Sequence, residues 1–127
     1  MACDEIILTI PREESFHEVA HLVLGGFAAR LNLSYESLDD LETALDAVLE
    51  RASENGEVTV KLRLDDEAIH ALVGPFPGDG LRSDLEREPG EDVNLRRILD
   101  TVLDGFELDQ DGWLQLTKHV EKREGGA

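Results

Sequence analysis

His17-Glu18-Val19-Ala20-His21 places two imidazoles one helical turn apart, with a carboxylate beside the first. In zinc proteases this spacing lets both His side chains bind one metal ion while the Glu activates its water. His17 and His21 are therefore candidate metal ligands, and Glu18 a candidate general base, for a small zinc-dependent hydrolase. A plainer role competes. Ser15-Phe16-His17-Glu18 reads as a capping box, the Ser15 hydroxyl on the first free amides and Glu18 reaching back to Ser15. Leu24 and Phe27 stand where the longer zinc signature has Gly and a third His, so a third ligand has to come from another acidic residue. The exposed capping turn is the preferred reading.

Other chemistry-bearing residues give less. Glu107-x-Asp109-x-Asp111-Gly112 opens like a calcium loop, but its twelfth position is Lys118, a cation where a bidentate Glu is needed. A two-residue hairpin turn around Asp111-Gly112 is the better reading. In Gly78-Asp79-Gly80 the Asp repels phosphate, and Cys3 lies beside Asp4 and Glu5, which disfavour a thiolate. His70 and His119 have no ligand-like spacing and read as strand residues.

The elements that position these residues follow from periodicity. Glu5 to Ile10 is a β-branched strand closed by Pro11. Phe16, Val19, Ala20, Val23, Phe27 and Leu31 form the apolar stripe of a first helix, broken at Asn32-Leu33-Ser34. A second helix starts near Ser37 on the stripe Leu38, Leu41, Leu45, Val48, Leu49 and Ala52, and stops at Asn55-Gly56. Val58, Val60, Leu62 and Leu64 alternate with polar residues as a strand, Asp65-Asp66-Glu67 turns it, and Ala68 to Val73 is its hairpin partner. Residues 74–92 read as a long, lid-like irregular loop. A third helix runs from Val93 to Leu103 with Gly105 as its C-cap, and a hairpin of Phe106-Leu108 with Trp113-Leu116 closes the chain. The expected fold is α+β: a two-layer α/β sandwich with a mixed, mostly antiparallel sheet of about five strands and three helices on one face. It forms a single domain over 1–127, with core 5–121 and a frayed tail 122–127.

Acidic residues outnumber Lys plus Arg by 29 to 12, for a net charge of -17. Such a surface repels nucleic acid and anionic lipid and favours a partner with a basic face, although acidity also serves solubility alone. No apolar run approaches the roughly 20 residues of a membrane span, and the N-terminus has no signal-peptide pattern. The lone Cys3 makes no internal disulfide, and the expected location is cytoplasmic.

This order of elements resembles the anti-sigma-factor serine kinases of the GHKL superfamily, which includes histidine-kinase catalytic domains, gyrase and the Hsp90 chaperones. The resemblance lies in the strand ending at Pro11, in Gly25-Gly26 and Arg30 of the first helix, and in Leu33-Ser34-Tyr35. It continues through Leu38-Asp39-Asp40-Leu41-Glu42-Thr43-Ala44-Leu45 and covers roughly Glu5 to Glu121. It implies three nucleotide-binding features, and each is replaced. Ala47 stands where the family has a general-base Glu, and Arg51 where it has a magnesium-holding Asn. Asp46 and Glu50 are each one residue off, about 100° around a helix. The strand before the lid ends Leu72-Val73-Gly74-Pro75-Phe76 in place of the adenine-reading Asp-x-Gly, and Asp92-Val93-Asn94-Leu95 replaces the glycine-rich phosphate loop. The resemblance with these departures implies a non-catalytic regulatory domain that has lost ATP binding and kinase activity, with no cofactor. It would hold a protein partner, a sigma factor or an anti-sigma antagonist, using the first helix near Arg30 and the loop 74–92; family members often dimerise, which admits a homodimer. The alternatives are an active serine/threonine kinase using ATP and Mg²⁺, and the zinc hydrolase.

Overall fold

The alternation of Val58, Val60, Leu62 and Leu64 builds β2 (Glu57–Leu64), with all four side chains buried on one face. The computed structural model describes residues 4–30, 33–51, 56–65, 68–76, 80–86 and 94–119 of the 127. Readings on Cys3, Leu31, Asn32, Ala52, Asn55, Asp66-Glu67, Gly78-Asp79, Asp92-Val93 and the tail 122–127 lie outside the described residues. β2 pairs with β1 (Asp4–Pro11) and β3 (Ala68–Gly74). Beyond β3 come β5 (Leu114–His119) and then β4 (Gly105–Leu108), giving the order β1-β2-β3-β5-β4. Every described pairing is antiparallel, where the sequence pattern predicts a mixed sheet. Register carries the row Ile6, Leu62, Ala71, Leu116 and Phe106 across the dry face.

Among the described residues four helices cover that face where three are predicted: α1 (His17–Arg30), α2 (Tyr35–Arg51), α3 (Gly80–Glu86) and α4 (Leu95–Val102). The additional one, α3, forms inside the segment read as an irregular lid. Leu81 and Leu85, one turn apart, give it an apolar edge, and Leu81 is buried.

Helix starts differ from the pattern as well. The predicted capping box at Ser15 is absent: Glu14–Phe16 is a 3₁₀ turn without a side-chain cap, and α1 begins at His17. α1 is also rotated from its predicted stripe, burying His17, Ala20, Leu24, Phe27 and Ala28 and leaving Val19 exposed. α2 starts two residues before Ser37, because the Ser34 hydroxyl accepts the Ser37 N–H at 3.2 Å. α4 is capped by Asn94, whose Oδ1 accepts the Arg97 N–H at 2.9 Å. It ends at Leu103, and Gly105 opens β4 instead of capping.

α2 is the centre of the core. Ala44, Val48 and Leu49 are completely buried beneath it, and burial of each large aliphatic side chain contributes about 1.5–3 kcal/mol. Lys118 of β5 reaches Asp40 of α2 at 2.8 Å and ties the sheet to the helix start. Among the described residues no helix is long and apolar enough to cross a membrane.

The β4–β5 connection is longer than a two-residue turn. Asp109 Oδ1 accepts the N–H groups of Asp111 and Trp113, at 2.8 and 3.0 Å, and Gly112 adopts φ +88°. A Cβ on Gly112 would lie 2.5 Å from the Phe76 carbonyl oxygen. Gly112→Ala is therefore expected to cost roughly 1–3 kcal/mol in urea unfolding. Gly26→Ala is expected to add about 0.5–1 kcal/mol, since it lies inside α1 with nothing within 4 Å of the new methyl. Opposite signs from the two alanines are the check on this backbone geometry.

Candidate functional site

Burial of Leu41, Ala44, Leu45, Val48 and Leu49 fixes how α2 is rotated, and hence where its polar residues point. Ala47 packs half-buried beside the core. Arg51, in the last turn, points to α3, where its Nη1 lies 3.2 Å from Asp84 Oδ2. Asp46 and Glu50, one residue earlier in each case, turn toward α1. Asp46 Oδ1 is 3.3 Å from His21 Nε2, and Glu50 lines a cleft with Glu14, His17 and Glu18. Neither acid shares the side of α2 that faces the lid helix.

The end of β3 is closed from two directions. Phe76 is buried, and its N–H donates to Gly112 O at 2.8 Å, joining the strand end to the β4–β5 turn. From β1 comes Arg12, only 9% exposed. Its Nε donates to Glu57 O at 2.7 Å, a second nitrogen donates to Pro75 O, and the guanidinium lies over the Phe76 ring at 5.8 Å. A buried cation held by carbonyls and an aromatic face thus closes the end of β3. At the start of α4, Asn94 is engaged in capping.

The His-Glu-x-x-His residues are separated in role. His17 is buried at the start of α1, Glu18 is exposed, and His21 bridges to α2. His21 Nδ1 is 3.3 Å from Glu42 Oε2 while Nε2 faces Asp46, so both ring nitrogens are engaged between helices. Among the described residues no group of three or more His, Cys, Asp or Glu side chains is arranged to hold a metal ion.

The open face of the sheet carries a separate polar layer. His70 Nε2 is 2.7 Å from Asp65 Oδ2, and Lys61 sits over the Trp113 ring at 4.9 Å. A depression of about 350 Å³ there is lined by both signs of charge, among them Glu5, Lys61, Arg63 and Asp65. His119 is exposed at the end of β5, where its N–H donates to Asp104 at 2.6 Å. Arg30 lies exposed at the end of α1.

Two residues of the closed region escape motif reading. Arg12 follows a strand-ending proline and has no periodic signal, and Asp84 is visible only once Leu81 and Leu85 are read as one turn of helix.

No protein-family model matches the chain. It is similar to the serine-protein kinase RsbW of Listeria innocua, with 26% identity over 95% of this chain and 90% of that protein. RsbW of Listeria monocytogenes shows 25% over the same shares. RsbW of Oceanobacillus iheyensis is 29% identical over 55% of this chain and 49% of its own length.

Replacing Arg12 with Ala is expected to destabilise the fold by about 2 kcal/mol, because two backbone carbonyls lose a charged donor. Lys has no planar fork to span both oxygens and should recover less than half of the loss. Arg51→Ala breaks a pair that is 45% and 27% exposed, so urea unfolding should register at most about 1 kcal/mol.

Proposed function

We propose that this chain, a GHKL-like domain of the anti-sigma-kinase type, is a regulatory module that holds a protein partner and neither binds ATP nor transfers phosphate. By the resemblance, the partner is a sigma factor or an anti-sigma antagonist in the cytoplasm. The observation that carries this reading is the Arg51–Asp84 ion pair. At the position matching the magnesium-holding Asn stands a cation, and it is paired with the helix that occupies the lid segment. A fixed positive charge there opposes Mg²⁺, and a neutral Ala47 supplies no base. The buried Arg12–Phe76 contact supports the same reading at the adenine end.

The active-kinase alternative draws on the printed name of the relatives, serine-protein kinase, at 25–26% identity over 95% of the chain. Melting the protein in millimolar Mg-ATP separates the two. A nucleotide present at a hundredfold its dissociation constant stabilises by about 2.7 kcal/mol, on the order of 10 °C for a domain of this size. The expected result is no change in melting temperature and no transfer of labelled phosphate to a serine-bearing partner. A rise of several degrees would establish a working nucleotide site and overturn the proposal.

A further inference from the structure

The outer seam between α1 and α2 joins exposed apolar side chains to acid. Leu22 is 70% exposed and Tyr35 74%, large values for side chains of this size. Leu22 lies on a cleft of about 460 Å³ whose other walls are His17, His21 and the carboxylates Glu14, Glu18, Asp46 and Glu50. Tyr35 lies on a second cleft of about 400 Å³ with Leu38 and the carboxylates Glu36, Asp39 and Glu42. The His21–Glu42 contact connects the two. Among the described residues no Lys or Arg lines either cleft.

A separate observation marks the floor of the first cleft. His17 is 7% exposed, and its side chain forms no hydrogen bond or ion pair with the described residues. No fully buried side-chain nitrogen or oxygen among those residues lacks a partner, so the unpaired ring nitrogens of His17 must open onto the cleft. A polar group this deeply buried ordinarily has a partner. Here water in the cleft, or a group that displaces it, supplies the partner.

We infer that the α1–α2 seam is a docking trough for a cationic amphipathic helix of a protein partner. Charge selects the occupant: seven carboxylates without a lining cation repel nucleic acid and anionic lipid and attract Lys and Arg. Size agrees, since the trough follows α2 from Glu36 to Glu50, about 21 Å at 1.5 Å per residue, or roughly four turns of a bound helix. The apolar stripe of that helix packs on Leu22 and Tyr35, its Lys and Arg flanks pair with the rim, and one N–H donates to His17. The inference rests on the protein-binding reading above and names the chemistry of the partner.

The probe is a fluorescein-labelled synthetic peptide of four helical turns, Leu on one face and Lys and Arg on its flanks. A second peptide has the same composition in scrambled order. Anisotropy should show the amphipathic peptide binding at least about tenfold more tightly than the scrambled one. Glu18→Lys/Glu50→Lys, and separately Leu22→Asp, should each weaken it by about tenfold or more. Glu57→Lys/Glu107→Lys, an equal change of charge at exposed strand residues elsewhere, should change it by less than about threefold. Equal losses from the two charge reversals, equal binding of the scrambled peptide, or no effect of Leu22→Asp would overturn the inference. So would stoichiometric zinc or calcium abolishing peptide binding, which would assign the cleft to a metal ion. If the Glu18/Glu50 pair fails to fold, Leu22→Asp, at an exposed position, remains decisive. Absent peptide binding with an unchanged melting temperature in Mg-ATP sinks this inference alone.

Discussion

The rotation of α2 about its own axis is the constraint on which the rest depends. Five apolar residues from Leu41 to Leu49 hold that rotation, and turning the helix by one residue, about 100°, would put Glu42, Asp46 and Glu50 in three of their places. The side chains Asp46 and Glu50 are of the right chemical type for a general base, yet they cannot be swung toward the lid without unpacking the core. Their acidity is directed instead to the seam with α1, where Asp46 and Glu42 hold His21. The direction of Asp46 and Glu50 and the concentration of charge along the seam are thus two consequences of one packing register.

The same economy of contacts appears at the far end of the sheet. Arg12, Phe76 and Gly112 come from three separate segments and meet at the end of β3. A guanidinium with little exposure is tolerable there because carbonyl oxygens and an aromatic face replace water. The glycine at 112 lets the turn backbone approach Phe76 closely enough for the N–H of Phe76 to reach the Gly112 carbonyl.

How much of this was legible in the sequence depends on whether the signal was periodic. β2 and α2 were readable because strict alternation and a long heptad-like stripe leave one solution each. The α1 stripe was misread because nearly every position from Val19 to Ala29 is apolar or glycine, so periodicity could not say which side faces the sheet. Leu24 took the core place and Val19 and Leu22 were left outside. Ser15 has the composition of a cap but does not act as one, while Ser34, in the break between the helices, bonds the Ser37 N–H; the approach of the chain to each helix decides this. Of the candidate site, the residue types along α2 are legible in the sequence; the partners Asp84 for Arg51 and Pro75 for Arg12 arise from tertiary packing and have no local signature.

Charge placement links these points. The net charge of -17 is not spread evenly: Lys61 and Arg63 stand on the open face of the sheet, while the α1–α2 seam has carboxylates and no lining cation. Clustering like charges along two adjacent helices raises their mutual repulsion, a cost that solubility alone does not require, since the same residues dispersed would serve it equally. The exposed Leu22 and Tyr35 in the midst of those charges run against solubility as well. Two features that each weaken the isolated domain, found on one seam, are accounted for together by a complementary surface that neutralises the acids and covers the apolar side chains in the same event.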